Sequence, residues 1–210
     1  MFAKQGIFSV YKLIGFPQTR AMRVMWMLEE LGEPYEIDPA LPQSEAAKAI
    51  NPSGKVPALC DGDLIVTESV AICTYLADKH GKFTFPAGTP ARAQQDSITQ
   101  FAVDVLEGAL WTSAKNTFVN PESKRVPEIK DVCRYEFGQG LKTLEHRLGD
   151  GRYAMGEQFT VPDIILGHCS GWAKVANFEL PSEGTVYDYF KRLRSRDGYK
   201  ATTTKVKAAL

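Results

Sequence analysis

The hydrophobic pattern of this chain changes character once, near residue 80. Before that point short β-prone runs alternate with helical ones; beyond it the strand signals stop. A chain ordered in this way folds as an α/β module followed by an all-helical one. Residues 7–14 are apolar and β-prone until Gly15-Phe16-Pro17 breaks the run. From residue 19 to 31 the apolar positions Ala21, Val24, Met25, Leu28 and Leu31 recur at helical spacing, with Gly32 as the stop and Pro34 just beyond it. Tyr35-Glu36-Ile37 reads as a short strand, and Ser44 opens a small helix ending near Asn51-Pro52. Two apolar runs, residues 56–60 and 64–66, flank a turn containing Asp61-Gly62, which is a hairpin signal. Thr67-Glu68-Ser69 then starts a helix carrying Val70, Cys73, Tyr75, Leu76 and Ala77. The predicted order is βαβαββα, a parallel crossover closed by a hairpin.

Gly81, Pro86, Gly88 and Pro90 mark residues 81–90 as a linker between a first domain (1–80) and a helical one (91–210). In the second, Ile98, Phe101, Ala102, Val105 and Ala109 define one amphipathic helix, and Phe137, Leu141, Leu144 and Leu148 another. Residues 164–176 are apolar nearly all round, as in a helix at the centre of a bundle, and residues 185–196 form a last amphipathic helix.

Charge removes several functions. Twenty-five basic residues balance twenty-five acidic ones, so the basic excess of a dedicated nucleic-acid binder is absent. No stretch reaches the roughly 20 apolar residues of a membrane span, and the opening Met1-Phe2-Ala3-Lys4-Gln5-Gly6 lacks the parts of a signal peptide; a soluble, cytoplasmic protein is expected. Cys60, Cys73, Cys133 and Cys169 form no Cys-x-x-Cys pair, and His80, His146 and His168 make no ligand spacing with them. Reduced, buried thiols and no metal site are expected.

Three segments follow one another in a specific order: Arg23-Val24-Met25-Trp26-Met27-Leu28-Glu29-Glu30-Leu31-Gly32-Glu33-Pro34-Tyr35-Glu36, then Asn51-Pro52-Ser53-Gly54-Lys55-Val56-Pro57-Ala58-Leu59, then Thr67-Glu68-Ser69-Val70-Ala71-Ile72-Cys73-Thr74-Tyr75-Leu76. The ordered set resembles the glutathione S-transferase family, with its thioredoxin-like N-terminal domain and helical C-terminal domain. The resemblance runs over about residues 7–197. Gly156-Glu157-Gln158-Phe159-Thr160-Val161-Pro162-Asp163-Ile164 further resembles the family's Thr-x-x-Asp capping motif, with Pro162 where alanine is more usual.

The resemblance implies a cradle for glutathione, a tripeptide with two carboxylates, one amine and one thiol. Ser69, where a strand feeds a helix, would hold the γ-glutamyl carboxylate with its hydroxyl and the free N–H groups there. Glu68 would accept from the γ-glutamyl amine. Read from the residues alone, Thr67-Glu68-Ser69 is equally an N-cap with an acidic first turn. Val56-Pro57, expected cis by the resemblance, would turn its backbone toward the cysteinyl unit. Lys55, and more weakly Gln43, would meet the glycyl carboxylate.

A thiol of ordinary pKa near 8.5 is only a few per cent ionised at pH 7, so the sulfur needs a stabilising donor. Relatives place Tyr, Ser or Cys at the end of the first strand or the start of the first helix; here Gly15 and Phe16 stand at the strand end. Thr19 is the expected thiolate donor, which also reads as a helix cap, with Tyr11 as substitute if its side chain points toward the site. Arg20 or Arg23 could assist electrostatically, although Arg23 also reads as a partner of Glu29 or Glu30. With no cysteine between Gly15 and Arg23, thiol-transfer chemistry is not expected.

Phe16, Trp111, Lys115 and Phe118 are the candidate residues for an electrophile in an apolar cleft, Trp111 and Phe118 sharing a helix face at seven-residue spacing. The implied activity is a detoxifying glutathione transferase acting on small hydrophobic electrophiles, with peroxide reduction as a variant. A homodimer is implied by the resemblance only. A non-catalytic binding or regulatory protein, and a glutathione-dependent isomerase, are the alternatives.

Overall fold

The computed structural model describes residues 10–209; Ile7, Phe8 and Ser9 of the expected first strand, and the opening residues 1–6, lie outside the described residues. The chain divides into two compact units, Met1–Leu76 with Ala201–Leu210, and Ala77–Lys200.

In the first unit β1 (Tyr11–Ile14), α1 (Ala21–Leu31), β2 (Tyr35–Asp38), α2 (Glu45–Ile50), β3 (Ala58–Asp61), β4 (Leu64–Thr67) and α3 (Ser69–His80) follow in the expected order. The sheet order is β2-β1-β3-β4. β1 and β2 are parallel, joined by the α1 crossover, while β3 runs antiparallel to both β1 and β4. Ser44 caps α2 by accepting from the Ala47 N–H at 3.2 Å. Gly32 ends α1 in the left-handed conformation (φ 75°), where a side chain would be strained. Leu13, Val24, Met25, Leu28, Leu59 and Ile72 are fully buried between sheet and helices, each contributing roughly 1.5–3 kcal/mol of transfer free energy.

α1 is buried over more than one stripe: Arg23, Trp26 and Met27 join the apolar positions on its covered surface. The strand β1 begins at Tyr11, and α1 at Ala21, two residues after the start read from the sequence. α9 (Asp197–Ala208) has no counterpart in the sequence reading. The first unit includes its residues from Ala201 onward: Lys205 pairs with Glu29 and lies 4.4 Å from the Tyr35 ring centroid.

The second unit is helical. α4 (Pro90–Phe101) starts with Pro90 behind the Thr89 cap and continues without a break through a π-turn (Ala102–Glu107), α5 (Gly108–Ala114) and a second π-turn (Lys115–Val119). α6 (Ile129–Leu148), α7 (Val161–Val175) and α8 (Thr185–Ser195) complete it. A Cβ on Gly140 would lie 2.8 Å from Leu106 Cδ2, so α6 approaches the first π-turn where only glycine fits without a shift. Within residues 81–90 Phe83 is held by two contacts. The Phe83 carbonyl accepts from the Val161 N–H at 3.0 Å, and its ring meets Phe159 edge-on at 5.6 Å.

Candidate functional site

Strand register gathers the first unit's candidates at one end of the sheet. Ile14 pairs with Ala58, and Ala58 with Thr67. The chain therefore leaves β1 at Gly15, enters β3 from Val56-Pro57 and leaves β4 toward Ser69 at the same edge. A Cβ on Gly15 would lie 3.1 Å from the Ala21 Cβ, 3.2 Å from the Val56 Cβ and 3.4 Å from the Pro57 Cα, at φ 151°. Only glycine lets β1, α1 and the loop before β3 converge so closely.

The Val56–Pro57 peptide is cis, as the resemblance implies. Neither the N–H nor the C=O of Val56 has a hydrogen-bond partner among the described residues. The half-buried Val56 thus carries an unused donor and acceptor side by side on the chain.

Ser69 opens α3 and is 5% exposed. The first bond of the helix runs from the Ile72 N–H to the Glu68 carbonyl. The N–H groups of Ser69, Val70 and Ala71 therefore have no acceptor among the described residues, as helix geometry dictates for a first turn. Arg23 Nη1 donates to Ser69 Oγ at 3.2 Å, and the Ser69 proton finds no acceptor among the described residues. Such a helix start attracts an anion. Glu68 beside it is exposed and holds φ 67°, a left-handed conformation that costs a non-glycine residue roughly 1 kcal/mol or more.

The loop after α2 is internally bonded. Asn51 Nδ2 donates to the Lys55 carbonyl at 3.0 Å and the Lys55 N–H to Ser53 Oγ at 3.3 Å, leaving the Lys55 side chain exposed. Gln43 holds φ 67° and spends its Nε2 on the Ser53 carbonyl at 2.9 Å, lying against Gly54. Lys55 is thus available as a cation on the surface, while Gln43 is engaged in the loop.

Thr19 donates its hydroxyl proton to the Phe16 carbonyl at 2.7 Å and accepts from the Ala21 N–H at 3.2 Å. Its one proton is spent within the turn, so any role at a sulfur begins by exchanging that bond. Tyr11 is 5% exposed and starts β1, four residues or about 13 Å along the strand from Gly15. The structure does not bring its ring to the gathered end of the sheet.

In the second unit Trp111 packs edge-on against Trp172, ring centroids 6.4 Å apart, and Lys115 is half-buried. Phe118 is 68% exposed. The expected common face is lost because Lys115–Val119 is a π-turn, whose wider winding rotates Phe118 away from the α-helical position seven residues on.

No cysteine is in a disulfide; Cys60 is half-buried and the other three are buried. Burial pushes the Cys73 thiol up to about 12, against the lowering effect of Arg23. Among the described residues no group of three His, Cys, Asp or Glu side chains is placed to hold a metal ion, and no helix is long and apolar enough to cross a membrane.

The inward course of Arg23 escapes a reading for helical stripes. Its signal was present: Met25-Trp26-Met27-Leu28 is apolar over too many successive positions for a one-sided helix, so a residue one turn earlier is buried with it.

Comparison with known proteins gives consistent likenesses. A family model described as "Glutathione S-transferase, N-terminal domain" matches residues 13–86. "Glutathione S-transferase 1" of Manduca sexta is 32% identical over 168 residues, covering 75% of this chain and 73% of that protein. "Glutathione S-transferase theta-2B" of Homo sapiens is 34% identical over 124 residues, 55% of this chain and 50% of that protein; the chain spans about half the length of that relative. Among solved structures, the theta class glutathione S-transferase of Xanthomonas axonopodis pv. citri with glutathione bound superposes with a TM-score of 0.73 at 25% identity, covering 92% of this chain and 96% of that one.

Proposed function

Because the chain belongs to the glutathione S-transferase family, we propose that it binds glutathione at the gathered end of its sheet and activates the thiol for attack on small hydrophobic electrophiles. The observation that carries this reading is the start of α3: a buried hydroxyl proton and three backbone N–H groups with no acceptor among the described residues. A carboxylate is the acceptor that such a set of donors selects. Ser69 takes the γ-glutamyl carboxylate and Glu68 the γ-glutamyl amine. The Val56 backbone, beside Pro57, pairs with the cysteinyl unit in the manner of a short strand. Lys55 meets the glycyl carboxylate, with Gln43 lining the same loop.

In the reaction the bound thiol gives its proton to solvent. Its sulfur then forms a bond to an electrophilic carbon while that carbon's leaving group departs with the electron pair. Thr19 is assigned as the donor to the thiolate, after its hydroxyl turns from the Phe16 carbonyl; lowering a thiol pKa by one unit takes about 1.4 kcal/mol of preferential stabilisation. A peroxide is the alternative acceptor for the same sulfur. Phe16 in the first unit, and Trp111, Lys115 and Phe118 in the second, are assigned to the electrophile on the strength of the family resemblance. We place the protein in the cytoplasm as a homodimer. The exposed Leu64 and Ile65 on the edge strand β4, 46% and 47% exposed, favour a partner surface there.

One observation favours a second reading, in which the protein binds glutathione without turning it over: the Thr19 proton is already committed to the Phe16 carbonyl. Retention on immobilised glutathione together with conjugation of a generic aryl halide supports the transferase. Retention without turnover supports the binding protein. Failure to retain the protein at all removes both.

A further inference from the structure

We propose that Arg23 is a positioning residue of this site: its buried guanidinium fixes the direction of the Ser69 proton, and so makes the start of α3 selective for a carboxylate over a neutral group. The inference rests on the reading that Ser69 holds the γ-glutamyl carboxylate of glutathione.

Arg23 is 1% exposed, on the covered surface of α1. A guanidinium has donors only and stays charged throughout the accessible pH range. Where its Nη1 donates to Ser69 Oγ, that oxygen is compelled to accept. The Ser69 proton must then point away from Arg23, and the N–H groups of Ser69, Val70 and Ala71 at the same helix start are also unmet among the described residues. Every hydrogen-bonding group at that point is a donor. A ligand amide or hydroxyl turning a proton inward would meet protons; a carboxylate oxygen meets none of its own kind. The chain from guanidinium through hydroxyl to carboxylate is also polarised in one sense, which strengthens each bond in it.

The same residue is tied a second time to α3, since the Cys73 thiol donates to the Arg23 carbonyl at 3.6 Å. That link holds α1 and α3 in register and is indifferent to what binds at Ser69. A purely structural Arg23 would act through this packing alone. The two roles differ in what they do to ligand selectivity.

The test compares reduced glutathione with γ-aminobutyryl-cysteinyl-glycine, the same peptide without the α-carboxylate of its first residue, by calorimetric titration. The wild-type protein is expected to prefer glutathione by about 10- to 100-fold, the usual worth of a hydrogen bond to a charged group. Arg23→Gln removes the charge and offers an acceptor that can draw the Ser69 proton back. It is expected to abolish that preference while leaving the affinity for the truncated peptide within about twofold. Equal weakening of both peptides overturns the proposal in favour of simple packing, as does an unaltered preference. Arg23→Lys, which keeps a donor-only cation, is expected to retain most of the preference. If Arg23→Gln does not fold, loss of preference in folded Arg23→Lys overturns the charge argument. A wild-type protein that binds neither peptide sinks the glutathione reading itself, a different outcome from either.

Discussion

Arg23 in the first unit and Asp163 in the second are both at most 1% exposed, and the two are finished differently. In the helical unit Asp163 is fully buried and accepts from the Ala154 N–H (2.9 Å), the Thr160 N–H (2.7 Å), the Thr160 hydroxyl (3.2 Å) and the Tyr189 hydroxyl (2.8 Å). Every one of those donors turns inward, and the cluster fastens the start of α7 to α8 and to the loop before it. In the α/β unit Arg23 donates to Ser69, and the donors beyond it have no acceptor among the described residues. A closed set of hydrogen bonds holds a fold together; an open one holds something else. The Thr-x-x-Asp motif and the Glu-Ser motif look alike in sequence as helix starts, yet the second leaves donors without an acceptor among the described residues.

The largest effect is expected on the closed side. Asp163→Asn turns an amide N–H₂ toward groups that are themselves donors, and should cost about 3–5 kcal/mol in urea denaturation, the range for breaking a buried charged network. Glutathione retention by the folded fraction should be unchanged; a binding loss at full stability would break the contrast between the units. Acidity gives the next effect. Burial pushes Asp163 up to about 6 from an ordinary 3.8, against the pull of its donors. The folded state then keeps a proton that the unfolded state has already shed. Stability should therefore fall as pH rises from about 4 to about 6, by up to about 3 kcal/mol, and a denaturation series in Asp163→Asn should lack that slope.

On the open side, Ser69→Ala should weaken glutathione binding by about 10- to 100-fold, roughly 2 kcal/mol, and should also cost about 1–3 kcal/mol of stability, because the buried Arg23 loses an acceptor. A stability loss without an affinity loss would make Ser69 a cap and no more. Thr19→Ala should lower kcat about tenfold and raise the pKa of the bound thiol by about one unit. Unchanged kinetics would take Thr19 out of the mechanism and favour the binding protein. Smallest of all, Trp111→Ala should raise KM for an aryl halide about threefold, roughly 0.6 kcal/mol, and leave KM for glutathione alone; a matching rise in both would place Trp111 in the packing against Trp172.

Much of the first unit was legible because its signals are local. Gly32 stops α1 where a left-handed residue is needed, Asp61-Gly62 falls at the turn from β3 to β4, and Ser44 caps α2 through its own hydroxyl. These depend on neighbours within four residues. Lys55, Val56 and Ser69 could be picked out from ordered motifs, and the register of three strands carries Val56 and Ser69 to one end of the sheet. Tyr11 could not be judged that way, since its distance from Gly15 along β1 matters only once the site's edge is known. Nor could Phe118, displaced by a π-turn that leaves no clear mark in the local pattern. α9 carries no clear signal in the sequence because its Thr-rich, lysine-rich run shows little apolar stripe, and Lys205 is anchored by Glu29 and Tyr35, distant in sequence.

The sequence by itself determined which residues are donors and acceptors, where helices start and stop, and that an α/β unit precedes a helical one, because each follows from side-chain chemistry and short-range periodicity. Only the tertiary structure decided which of those polar groups are spent. Thr19 gives its proton to Phe16, Asp163 gathers four donors, and Arg23 crosses from α1 to Ser69 while the protons beyond it find no acceptor among the described residues. Hydrogen-bond satisfaction is a property of groups brought together in space, and a linear chain does not state which ones meet.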